Sequence, residues 1–146
     1  MKSIFDKTTR DELINRINSL SENSKAEWGK MNVSQMMKHC TKWDEMALGK
    51  TKYKQSFPGK LFGKMALKDM MKDKPIRKNI PSVPSFIIKE PVNFAEEKKK
   101  WTQLLSEYKH FSNDNFIHPF FGTMTKENTG IMVYKHIDHH LKQFNS

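Results

Sequence analysis

A chain of 146 residues is one ordinary domain, long enough to bury a core unaided, and its single cysteine, Cys40, excludes an internal disulfide framework. The formal charge of +10 raises the question of polyanionic partners, but arginine, the residue of forked phosphate and base contacts, occurs only at Arg10, Arg16 and Arg77, so nucleic acid is not an expected partner. No apolar run is long enough to cross a bilayer, and the stretch Met1-Lys2-Ser3-Ile4-Phe5-Asp6 has no apolar signal core, so a soluble cytoplasmic protein without a membrane partner is expected.

The first predicted helix runs from about Thr8 to Leu20, with Leu13, Ile14, Ile17 and Leu20 on one stripe and a capping-box pair at Thr9 and Glu12. The second runs from about Asn32 to Leu48: Asn32 is an N-cap with Gln35 three residues on, and Gly49 is a stop. A long connection follows. Pro58 and Gly59 open a shorter, apolar helix around Leu61 to Met71, and Pro75, Pro81, Pro84 and Pro91 then keep the chain from continuing as helix. The third long helix is predicted from about Asn93 to His110, with Trp101, Leu104, Leu105 and Tyr108 on its apolar stripe, and the last from about Thr125 to Phe144, with Tyr134, Ile137, Leu141 and Phe144 in heptad-like spacing. The connection is long enough to cross the end of a bundle and join two parallel helices. No segment alternates with a period of two, so little or no sheet is expected; the fold class is all-α, a four-helix bundle with a long crossover between its second and third helices, in one domain spanning residues 1–146.

Six histidines are distributed unevenly. On the last helix, with Ile137 at the centre of the buried arc, His140 falls about 60° and His136 about 100° away on the same flank, while His139 falls about 160° away on the solvent side. On the second helix, Met36, Cys40, Trp43 and Ala47 span the buried arc and His39 lies about 60° from Met36. Three histidines on two helices therefore sit at the border of the core. Histidines at i and i+4 leave one helical face together and form a clamp; a third from a neighbouring helix completes a facial set. Three neutral imidazoles suit zinc, nickel, iron or copper, and three protein ligands leave a position open for water or substrate.

The segment Asn32-Val33-Ser34-Gln35-Met36-Met37-Lys38-His39 resembles the second helix of the DinB-like (damage-inducible B) superfamily, and His136-Ile137-Asp138-His139-His140-Leu141-Lys142-Gln143 resembles that group's last helix, which carries His-x-x-x-His. Within the group, the chain is most similar to an uncharacterised branch with a His-Pro-x-Phe-Gly element, here His118-Pro119-Phe120-Phe121-Gly122. The resemblance implies a four-helix bundle with a crossover and a divalent metal, zinc or nickel, held by His39, His136 and His140. It also implies chemistry of the kind found among relatives: thiol transfer, with a low-molecular-weight thiol or another small molecule as substrate, and a homodimer.

Other residues carry two readings each. His118 is a candidate fourth ligand or general acid, or a loop cap. Gln35 and Gln143 lie on the ligand flanks as candidate partners that orient imidazoles, or as solvated glutamines. Cys40 points into the core as an inert thiol. Asp44 and Asp138 fall on the flank opposite the histidines, which leaves no clear carboxylate base. Gly59-Lys60-Leu61-Phe62-Gly63-Lys64 lacks the spacing and the hydroxyl of a phosphate loop; Phe57, Leu61, Phe62 and Met65 are expected to close the core rather than to form an exposed lid. The expected function is a divalent-metal-dependent enzyme, a thiol transferase or a hydrolase. The alternative is a non-catalytic, stress-associated helical module for binding or dimerisation, with a structural or vestigial metal site.

Overall fold

The computed structural model describes residues 1–146 and is mostly helical. Helix α1 spans Lys7–Asn18, α2 Val33–Ala47, α3 Phe57–Met70, α4 Phe94–Glu107 and α5 Lys126–Gln143, with short 3-10 turns at Pro84–Phe86 and Tyr108–His110. Three caps are those expected from sequence. Asn32 and Gln35 form a full capping box at the start of α2, Asn93 accepts from the Glu96 N–H, and the left-handed Gly49 follows the end of α2. The first helix departs from expectation. It begins after Asp6, so Thr9 is an interior, buried residue and the expected capping box with Glu12 does not form. The start is set instead by Arg10, which donates to the carbonyls of Ile4 and Phe5 and holds the N-terminal arm against the core.

The pairing of side chains along the helices gives their directions. Lys38 with Glu97, Asp44 with Trp101 and Lys50 with Glu107 rise together, so α2 and α4 run parallel, as the long connection allows. Ile4 with Gly130, Arg16 with Asp138 and Ser19 with Ser146 make α1 and α5 parallel as well. In contrast, Trp28 pairs with Gln143 and Trp43 with His136, so α2 runs against α5. Helices α1, α2, α4 and α5 pack around one core that includes Ile17, Met36, Met37, Trp101, Leu105, Ile137 and Leu141. No helix is long and apolar enough to cross a membrane.

Three further expectations are corrected. A small antiparallel hairpin, β1 at Phe116–His118 and β2 at Gly122–Met124, interrupts the all-helical pattern; three-residue strands are too short to show an alternating signal. Helix α3 starts one turn earlier than expected, because Ser56 caps it and Pro58 fits its first turn. It lies with Gly59 and Gly63 against the backbone of Phe120 in the hairpin turn. Phe57, Leu61, Phe62 and Met65 consequently point away from the core, 72%, 61%, 52% and 69% exposed, and do not close it.

The glycine seat is tight. A Cβ at position 63 would stand 2.1 Å from the Phe120 carbonyl oxygen, a backbone atom that cannot rotate away. Gly63→Ala is expected to lift α3 from the hairpin and cost about 1–3 kcal/mol, as overpacking does. Urea unfolding measures it, and an unchanged midpoint would contradict the packing described.

Candidate metal centre

Asn32 and its capping box fix the start of α2 and place His39 at the border of its buried face; Thr125, accepting from the Asn128 N–H, does the same for α5 with His136 and His140. The antiparallel packing of α2 on α5 brings the three rings together. Their centroids lie 5.0 Å apart for His39 and His136, 4.7 Å for His39 and His140, and 4.7 Å for His136 and His140. One ring nitrogen from each lies within 4.8 Å of the other two, and the group could hold a metal ion.

The tautomers follow from the partners. His39 Nδ1 is 2.9 Å from the Phe86 carbonyl oxygen, which can only accept, so Nδ1 carries the proton and Nε2 is left unprotonated, with its lone pair free for a metal. Gln143 donates its amide N–H to the Trp28 carbonyl at 2.8 Å, which turns Oε1 toward His140 Nδ1, also at 2.8 Å. His140 is thereby held with Nδ1–H outward and Nε2 bare. His39 Nε2 faces His136 Nε2 at 3.0 Å. For tetrahedral bonds of about 2.0–2.1 Å to nitrogen, ligand atoms stand about 3.3 Å apart, so this pair is within a few tenths of an ångström of a chelating separation. The donor set fits a divalent ion of the borderline-soft class.

Burial favours the same protonation state. Loss of hydration holds His39 below the ordinary imidazole range and His136 well below it, with the neighbouring imidazoles adding to the effect on His136. His140 is pushed down to about 3, by burial first and by His39 second. All three are neutral at pH 7 and need not shed a proton to bind a metal.

An aromatic wall stands behind the rings. Trp43 lies 5.6 Å from His136 and Phe86 lies 6.3 Å from His39, and His118 sits behind both, 5.6 Å from Trp43. His118 is outside the three-histidine group. Its Nδ1 accepts the backbone N–H groups of Phe120 and Phe121 at 3.0 and 3.1 Å, and its ring stacks on Phe121. Burial takes it down to about 3. In this arrangement it caps the hairpin turn rather than serving as a ligand.

Of the two glutamines, Gln143 touches an imidazole. Gln35 does not: its Oε1 accepts the Asn32 N–H in the capping box, the local bond available to a glutamine three residues after an N-cap. His139, expected on the solvent side, is half-buried with its ring 5.4 Å from that of Trp28. Cys40 is fully buried, as expected. Asp138 pairs with Arg16 and Lys142, and Asp44 accepts from Trp101 Nε1 and the Tyr108 hydroxyl, so neither carboxylate serves the histidines. Sequence reasoning missed the backbone partners, Phe86 and Trp28. Both contribute a carbonyl, which no side-chain pattern announces; a phenylalanine among prolines in the crossover was the only trace of the first.

No curated protein and no solved structure matches the chain significantly. A family model matches residues 3–146, and the chain belongs to that family, described as a protein of unknown function (DUF1569).

Proposed function

We propose that this chain is a divalent-metal-dependent protein of the DinB-like kind: a four-helix bundle with one long crossover, holding zinc or nickel through His39, His136 and His140, and acting as a thiol transferase or hydrolase on a small molecule. The observation that carries the reading is the pair of pre-set tautomers. A carbonyl and an amide oxygen hold the outer nitrogens of His39 and His140, which is how proteins orient imidazoles that bind metals. A bound divalent ion would supply Lewis acidity, lowering the pKa of a thiol or a water beside it. The chain's own residues orient the donors, keep them neutral, and wall one side of the centre with Trp43 and Phe86. A non-catalytic module is the second reading, favoured by the engagement of Asp44, Asp138 and Cys40 elsewhere. Either form could pair as a homodimer.

Elemental mass spectrometry on untagged protein never exposed to a nickel column tests the centre. About one zinc or nickel per chain supports it; no metal after incubation with either ion overturns it. Turnover of a model electrophile with a panel of low-molecular-weight thiols then separates enzyme from module. Replacing Gln143 by leucine removes the partner that orients His140 and is expected to weaken zinc binding about 10–100-fold, as loss of such partners does. Competition with a chromophoric chelator measures this, and an unchanged affinity would remove Gln143 from the centre.

A further inference from the structure

Helix α3 has the apolar pattern of a core helix turned outward. With Leu61 at zero on the helical wheel, Phe57 and Met65 fall about 40° to either side and Phe62 about 100° away. Gly59, Gly63 and Met70 fall on the opposite side. The inner face thus carries Gly59, Gly63, Ala66, Leu67 and Met70, with the two glycines close against the Phe120 backbone, while Phe57, Leu61, Phe62 and Met65 form an exposed crest. Contiguous exposed apolar surface on this scale marks a docking site.

The surrounding charge identifies the occupant. Lys60 and Lys64 line one side of the crest, about 100° and 60° from Leu61, Lys68 continues its line beyond Met65, and Lys54 precedes it; all four are exposed, and none has a carboxylate partner. The one acidic residue of the helix, Asp69, is engaged by Lys72 and Lys74. A second copy would bring the same uncompensated lysines against this face. A convex crest of Phe, Leu and Met with free lysines along one side and at its end matches the interface of an anionic bilayer. There, apolar side chains enter the headgroup boundary and lysine stems reach back to the phosphates.

We propose that α3 is a reversible docking helix for anionic membrane surfaces, lying in the interface plane through Phe57, Leu61, Phe62 and Met65. The expectation of no membrane partner rested on the lack of a spanning segment, which does not bear on a helix that lies flat. The proposal is independent of the metal centre.

Co-sedimentation with vesicles of equal parts phosphatidylglycerol and phosphatidylcholine, against pure phosphatidylcholine, tests it at low and moderate salt. Wild-type protein is expected to partition to the anionic vesicles at least tenfold more than to the neutral ones. The pair Leu61→Ser and Met65→Ser is expected to lose at least tenfold, with unchanged thermal unfolding because both side chains are exposed. The triple change Lys60→Glu, Lys64→Glu and Lys68→Glu is expected to abolish binding. The matched control Lys25→Glu, Lys99→Glu and Lys109→Glu, exposed lysines on other elements, retains it.

Three results would overturn the proposal. The first is equal loss in the two lysine triples, which means unspecific attraction of a basic protein. The second is full binding by the serine pair. The third is absence of binding to the anionic vesicles, whether or not the face instead supports a dimer that the serine pair dissolves or binds an acidic polypeptide.

Discussion

Replacing His136 with alanine is expected to reduce affinity for zinc or nickel by orders of magnitude while leaving the fold intact. His136 is the most exposed of the three histidines and takes no hydrogen bond that holds the backbone. Its removal leaves His39 and His140, two nitrogens on different helices, where three had closed a facial set. His39→Ala is a less clean experiment. It also strips the Phe86 carbonyl of its donor, and an unsatisfied buried acceptor costs about 1–3 kcal/mol. Stability reports binding without any knowledge of substrate: an ion at a hundred times its Kd stabilises the native state by about 2.7 kcal/mol. Thermal unfolding with and without zinc should therefore show a clear upward shift in the wild type and none in His136→Ala. An equal shift in both proteins would place the metal elsewhere and remove the basis of the proposed function.

Much of this centre was legible in the sequence because helices have a fixed period. Once Asn32 and Thr125 set the helix starts, the positions of His39, His136 and His140 relative to the buried arcs follow from 3.6 residues per turn. The parallel course of α2 and α4 was legible from the length of the connection between them. Features that depend on backbone atoms far away in the chain were not legible. The Phe86 carbonyl on His39 spans 47 positions, and the Trp28 carbonyl on Gln143 spans 115. The outward face of α3 was misread for a related reason. Its composition is that of a core helix, and only the approach of the Phe120 backbone to Gly59 and Gly63 determines which face turns inward. Asp44 illustrates the same limit: the helical wheel placed it off the histidine flank but could not show the Trp101 indole on α4 and the Tyr108 hydroxyl in the turn that follows it.

That buried carboxyl and the buried histidines pull the stability of the metal-free protein in opposite directions as pH changes. His118 and His140 have native pKa values of about 3 against an ordinary 6.5, so between those values the unfolded chain binds more protons. Their contribution is full above pH 6.5 and is lost as pH falls; by pH 5 the two together remove about 4 kcal/mol. His39 and His136 act in the same direction. Against a total of about 5–15 kcal/mol for a domain, chelator-treated protein is expected to unfold between about pH 4 and 5. Asp44 has the opposite sign. Burial raises it from 3.8 to about 7 despite two hydrogen bonds that favour the carboxylate, so the native state holds the extra proton between those values. Its contribution is full at low pH and is lost as pH rises through 7.

Asp44→Asn keeps an acceptor for Trp101 and offers an N–H to the Tyr108 oxygen, while removing the titration. Relative to wild type it is expected to gain about 2 kcal/mol between pH 5.5 and pH 8. Asp44→Ala instead leaves an indole N–H and a phenol without partners and should lose about 2–5 kcal/mol at either pH. Urea unfolding of the three proteins at both pH values isolates the carboxyl, because the histidine contribution is common to all and cancels in the differences. A constant difference between Asp44→Asn and wild type across this range would mean that Asp44 stays ionised in the native protein. Its two donors, Trp101 and Tyr108, would then outweigh the cost of burying the charge.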